Sequence, residues 1–263
     1  MLKLLFKFNL AILTVIMYAS ILCRTTAFAA EKKTEPPPKF NPVTSIAART
    51  QPVGSFSIQR APVGNINSSM LSQSLSYSLL PRLEIGTAPL FYFSAKHRYN
   101  YVGKYNFWRN QDIDWAVSLS ESRYRTEFSQ DSTIETADLI MRAAQIAFNY
   151  YPQNSQWVIA GFTTSMCGYI DSKNPFVYIE SLSCQQEYGM DIQAPLEKNS
   201  TFSFGIANLR QAGYSPWEEM SPGMGAAYSL SRQGAFFSRP SFGVYQSIRG
   251  QTLFLLSTTI KEK

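Results

Sequence analysis

From residue 54 onward, hydrophobic and polar residues alternate along most of the chain. In Leu71–Leu79, Leu71, Leu75, Tyr77 and Leu79 share one face, and Ser72, Ser74, Ser76 and Ser78 share the other. In Asp112–Ser120, Ile113, Trp115, Val117 and Leu119 oppose Asp112, Asp114, Ser118 and Ser120. Successive strand side chains point to opposite sides of a sheet, so this period of two predicts strands. Related patterns occupy Leu83–Phe93, Tyr99–Trp108, Trp157–Ile170, Thr201–Leu209, Gly223–Leu230, Phe236–Gln246 and Gln251–Ile260. Ser55–Arg60 and Val177–Ile192 are weaker instances. Thr136–Tyr151 is open to two readings. Its Ala, Leu, Met and Gln content and a Ser132-x-x-Glu135 capping box suit a helix. The alternation of Ile146, Phe148 and Tyr150 with Ala147 and Asn149 suits a strand, which is the reading adopted.

The count is about twelve strands in 54–263, with ten as the alternative. Strands of about 9–11 residues suffice to cross a bilayer when tilted. With the first strand running outward, the connections Pro81-Arg82, Arg109–Gln111, Pro152–Gln156, Pro195–Ser200 and Arg232–Ala235 fall at one rim, and all are short. The longer connections Ala61–Ser69, Thr126–Glu135 and Arg210–Pro222 fall at the other. That asymmetry is the outer-membrane arrangement. Aromatic residues cluster beside expected turns: Trp108 and Trp115 at one, Tyr150, Tyr151 and Trp157 at another. They are candidates for an interfacial girdle. The expected fold is therefore all-β, a transmembrane antiparallel up-and-down β-barrel. The competing fold is a soluble barrel or sandwich that buries the Leu/Ile/Phe face inside and binds a ligand or protein. Alternation alone does not distinguish inside from outside.

Two hairpins carry a family likeness. Tyr77-Ser-Leu-Leu-Pro-Arg-Leu-Glu-Ile-Gly-Thr87 resembles a tight-turn hairpin of small bacterial outer-membrane β-barrel proteins, and Tyr150–Trp157 is similar to another of their periplasmic turns. The resemblance implies location and fold, with the barrel-assembly machinery as a partner, and no specific activity. The chain departs from the pattern at its end, Thr259-Ile-Lys-Glu-Lys263, where such proteins often finish on an aromatic residue.

The N-terminus bears on location. Lys3 and Lys7 precede a mostly apolar stretch, Leu10–Cys23, and Ala27-Phe28-Ala29 offers a small-x-small cleavage site. This is the pattern of a secretory signal peptide over residues 1–29. Leu22 before Cys23 argues against a lipoprotein signal. Cleavage after Ala29 leaves 234 of the 263 residues. It also removes Lys3, Lys7 and Arg24, which lowers the formal charge from +6 to +3. The basic balance therefore gives no case for nucleic acid. Residues 30–53, with Pro36-Pro37-Pro38, Pro42 and Pro52, read as an extended periplasmic leader, a tether or a partner-binding segment. Charged residues are only 16% and aromatics 14%, which fits strands with one face toward lipid.

Candidate chemistry is sparse. His97, the only histidine, lies between Lys96 and Arg98 in an expected loop, a poor setting for a general base. One His and two mature-chain cysteines make no metal-ligand set. Gly223-Met-Gly225 has no following helix, and no nucleotide motif is present. No enzyme, metal or cofactor is expected. Cys167 and Cys184 face each other if their hairpin folds about Pro175-Phe176, and cannot bridge if the turn centres on Asp171–Asn174. Glu84, Lys104, Asp112, Asp114 and Asp191 fall opposite apolar positions and would line a lumen. That lumen is either a small pore or filled by paired charges and serines. Arg142, Lys173 and Arg210 fall near outer strand ends, placed for anionic lipopolysaccharide. The expected product is a monomeric, porin-like barrel, passive as a pore or as a structural or surface-contact protein.

Overall fold

A computed structural model describes residues 43–44, 47–60, 73–89, 97–130, 133–153, 155–171, 184–197, 199–210, 220–230, 240–250 and 252–261. Strands form within every period-two segment, although Leu83–Phe93 ends as strand at Thr87 and residues 71–72, 90–93, 177–183, 236–239 and 251 lie outside the described residues: β1 Ser55–Arg60, β2 Gln73–Leu80, β3 Leu83–Thr87, β4 His97–Arg109, β5 Ile113–Gln130 and β6 Thr133–Tyr150. The rest are β7 Val158–Asp171, β8 Gln185–Glu197, β9 Ser200–Arg210, β10 Met220–Leu230, β11 Ser241–Ser247 and β12 Thr252–Lys261. Each strand pairs antiparallel with its sequence neighbours, and β1 pairs with β12, so the sheet closes into a twelve-stranded barrel. The segment open to a helical reading is β6. It pairs with β5 along all eighteen positions, from Ile113↔Tyr150 to Gln130↔Thr133.

The faces are inverted relative to a soluble barrel. Ile146, Met190, Ile192, Phe202, Phe204 and Ile206 are exposed on the outside. Ser76, Ser118, Gln145, Asn149, Thr164, Gln193 and Ser203 are buried inside. Small apolar side chains such as Ala116, Ala147 and Ala227 share the interior with Phe162, Leu209 and Tyr245. The alternative of a Leu/Ile/Phe-filled soluble barrel places these strands the wrong way round.

Both termini of the barrel lie at one rim, the terminal rim. Its connections include Pro81-Arg82 and residues 110–112, 151–157 and 198–199. Some connections differ from expectation, and the expected loop Ala61–Ser69 lies outside the described residues. Thr126–Glu135 is not a loop, because β5 and β6 continue to a turn at 131–132. Residues 231–240 between β10 and β11 form a longer connection than the four-residue turn expected there. At the opposite rim, β11 and β12 are joined by residues 248–251 alone, and Gly250 takes the positive φ of 84° that this turn requires. His97 opens β4, opposite Tyr124, and is not in a loop.

The signal peptide expected over 1–29 and residues 30–42 and 45–46 of the expected leader lie outside the described residues, while the described part of the leader is not a free tether. Val43, Thr44 and Ala47–Gln51 lie inside the barrel, hydrogen-bonded to side chains of its wall. This segment, called the strap below, leads through exposed Pro52 and Val53 into β1.

Candidate functional site

The lumen is built by the polar positions of the strands and by the strap that lies among them. Alternation fixes which side chains enter. On β5 the even-numbered residues Asp114, Ser118, Ser120 and Ser122 are buried, and on β6 the odd-numbered Gln145 and Asn149. Of the five lumen candidates, Glu84, Lys104, Asp114 and Asp191 point inward and are buried. Asp112 does not. It belongs to the turn before β5, where the Asn110 side-chain oxygen accepts from the Asp112 and Ile113 N–H groups at 2.9 and 2.7 Å. Pairing there is taken up by the turn, so the period-two pattern starts at Ile113.

The inward charges are matched. Lys104 Nζ lies 2.7 Å from Glu84 Oε2, with side chains 4% and 1% exposed. Asp114 accepts from Arg49 Nε at 2.7 Å and from the Tyr151 hydroxyl at 2.7 Å, and Arg109 Nε lies 3.7 Å away. Tyr151 was a girdle candidate, but it turns inward just beyond β6 and stacks under the Arg49 guanidinium at 5.4 Å. Burial, and then the Asp114 carboxylate, raise its phenol pKa well above the ordinary tyrosine value. The remaining girdle candidates behave differently. Trp108, Tyr150 and Trp157 are exposed on the outside near the terminal rim, and Trp115 packs on Phe148 with ring centroids 5.2 Å apart.

The strap is held at both ends and in the middle. Asp191 accepts from the Val43 N–H at 3.0 Å, the Thr44 N–H at 3.0 Å and the Thr44 hydroxyl at 2.6 Å. Asn149 accepts from the Ala48 N–H at 3.3 Å, and Asn106 donates to the Ala48 carbonyl at 3.1 Å. Lys104 donates to the Ala47 carbonyl at 3.0 Å. Glu84 accepts from the Gln51 N–H at 2.5 Å, and Thr50 donates to the Pro81 carbonyl at 2.8 Å. The seat under Val43 and Thr44 depends on glycine. A Cβ at Gly225 would lie 2.7 Å from Val43 Cγ1, and one at Gly205 would strike the Asp191 carboxylate. Sequence reasoning found four of the wall residues but not their occupant.

Outside, β5 and β6 are the longest of the described strands. Among the described residues the β4–β5 ladder reaches Tyr124 and the β6–β7 ladder Asp138. Eighteen residues at about 3.3 Å each exceed the roughly 25 Å apolar band of an outer-membrane barrel even when tilted. Toward this end the outward face becomes polar. Arg142 Nε lies 2.6 Å from Glu121 Oε2, and Arg123 lies 2.8 Å from Asp138. The Tyr99 hydroxyl donates to Glu121 at 2.7 Å, and the Arg142 guanidinium sits 5.5 Å from the Tyr169 ring. Arg142, proposed for lipopolysaccharide contact, is thus part of a paired network. Lys173 and the Arg210 side chain lie outside what is described. Cys167 and Cys184 are disulfide-bonded, with Cα atoms 4.2 Å apart. The ladder Val158↔Gln193 to Met166↔Gln185 sets this pairing, since its next rung joins the two cysteines.

No family model matches the chain, and no curated protein matches it. Among solved structures it is similar to the crystal structure of Pseudomonas aeruginosa OccK10 (OpdN). The identity is 12% over 73% of this chain and 72% of that one, with a TM-score of 0.31. The likeness is loose.

Proposed function

We propose that this chain is an outer-membrane β-barrel with a passive, non-catalytic role: a lipid-embedded scaffold whose lumen is filled, presenting the β5–β6 hairpin beyond the membrane. The observation that carries the reading is the inverted burial. Exposed Ile146, Ile192, Phe204 and Ile206 on a closed barrel suit hydrocarbon, and closure leaves no backbone edge unsatisfied in lipid. An outward apolar groove of about 650 Å³ lined by Trp115, Ile146, Phe148, Tyr188, Met190 and Ile206 fits the same surroundings. The filled lumen rests on the strap and on the Lys104–Glu84 and Arg49–Asp114 pairs. Cleavage near Ala29, insertion by the barrel-assembly machinery, a monomeric state and lipopolysaccharide around the upper wall belong to this reading.

Fractionation with heat-modifiable gel mobility tests it. The expected result is carbonate-resistant protein that runs faster unheated than heated. Protein that carbonate extracts and that shows no mobility shift overturns the membrane reading. Planar-bilayer recording then separates a filled scaffold from a porin-like pore. The intact chain is expected to give no steady conductance, and a stable open channel would replace the scaffold with a pore.

A further inference from the structure

We infer that the lumen is a binding site for a peptide carrying a basic residue, and that the strap is its exchangeable occupant in cis. The inference rests on the barrel with a polar interior described above. The wall reads the strap mainly through its backbone. Asp191, Asn149 and Glu84 accept from the N–H groups of Val43, Thr44, Ala48 and Gln51. Lys104 and Asn106 donate to the carbonyls of Ala47 and Ala48. Every one of these wall groups is a side chain from β3, β4, β6 or β8, and the described strap residues join no ladder. A segment that belonged permanently to the sheet would pair with a strand. Apart from the Thr50 hydroxyl and the Arg49 guanidinium, which reach the Pro81 and Asn110 carbonyls, the described strap is held by wall side chains, as a ligand is bound.

Charge chooses the peptide. Glu84 is paired with Lys104, and Asp114 takes Arg49 as its nearest cation with Arg109 farther off. Arg49 reaches Asp114 with Nε at 2.7 Å and Nη2 at 3.3 Å, and its Nη2 also donates to the Asn110 carbonyl at 3.4 Å. Small side chains are required at the far end, where Gly205 and Gly225 leave room for Val43 and Thr44. The site therefore takes a chain with a hydroxyl-bearing residue at the Asp191 end and an arginine five positions later. An emptied site would leave Asp191 and Asp114 buried without these partners, so one peptide is replaced by another or by water.

The test uses the full chain with a protease site placed at the exposed Pro52-Val53 link and cut after folding in detergent. The nicked barrel is expected to keep its heat-modifiable mobility and to hold its N-terminal piece through gel filtration. A fluorescein-labelled synthetic peptide of residues 42–53 then displaces that piece, with a rise in anisotropy. The same peptide carrying Arg49→Ala competes about tenfold or more weakly, the scale of a lost charge-assisted hydrogen bond. Loss of the folded mobility on nicking overturns the inference, because the strap is then an integral part of the fold. So does failure of the labelled peptide to exchange, or equal competition by a scrambled peptide. The assay reads the lumen in micelles. Carbonate-extractable protein that still exchanges peptide would sink the membrane reading and leave this one standing.

Discussion

Replacing Lys104 with methionine tests whether the lumen is dry and packed or merely polar. Its ammonium lies 2.7 Å from Glu84 Oε2 and donates to the Ala47 carbonyl at 3.0 Å. Lys104→Met removes both contacts and leaves a buried carboxylate without its counter-ion. Breaking a buried pair from one side costs about 3–5 kcal/mol. Glu84 keeps the Gln51 N–H and a long bond from the Ser78 hydroxyl at 3.3 Å, which offsets part of that cost. The net expectation is a loss of about 3 kcal/mol. Adding Glu84→Gln removes the stranded charge while retaining an acceptor for Gln51. The double variant should therefore lose only about 1–2 kcal/mol, less than the lysine change alone. Urea unfolding followed by tryptophan fluorescence in lipid vesicles measures both. A loss below about 1 kcal/mol for Lys104→Met, or strict additivity of the two changes, would refute the reasoning. Either result would mean that water already hydrates Glu84 and that the pair does not seal the lumen.

Other outcomes follow from the wall and its rims. Ile206→Arg places a charge on the exposed apolar face of β9 and should cost about 2–4 kcal/mol in a bilayer. An equal stability in vesicles for Ile206→Arg and wild type would count against a lipid-facing wall. Reducing Cys167–Cys184, which closes a sequence separation of 17, should lower stability by about 3 kcal/mol in the same assay. An unchanged urea midpoint under a thiol-free reductant would contradict this. Tyr151 has its pKa raised by burial and by Asp114, so its folded form stays protonated where the unfolded tyrosine ionises, near 10.0. Its contribution is full below that value and falls as pH rises above it. Wild type should lose more stability than Tyr151→Phe between about pH 9 and 11, and parallel profiles would sink the assignment.

The barrel was legible because an apolar outer face and a polar lumen force a strict period of two. Ser72–Ser78 and Ile113–Leu119 declared their faces before any pairing was known. The pattern failed where that pressure ends. Glu127, Ser129, Asp131 and Ser132 look like loop residues, yet β5 and β6 run on through Gln130 and Thr133. A ribbon longer than the apolar band needs no strict alternation beyond it. The disulfide depended on register, which residue types near Asp171–Pro175 did not fix. Tyr151 shares its residue type with the girdle but follows the last rung of β6, so chain direction changes its face. The strap was invisible for a different reason. Its contacts reach across 148 positions to Asp191 and 65 to Asp114, and a proline-rich composition carries no sign of a distant host.

The position of the strap also constrains the order of assembly. It precedes β1 in the chain, but its seat is composed of residues from β3 through β10 and so does not exist until most of the sheet has formed. The seam that completes the ring, Ser55↔Lys261 to Ile58↔Thr258, begins only four residues beyond Gln51. The direct route lays the strap against the curling sheet while the seam is open, so that β1 meets β12 over an interior already occupied. The residues just ahead of β1 are then among the last to find their place, and the barrel is wrapped around them.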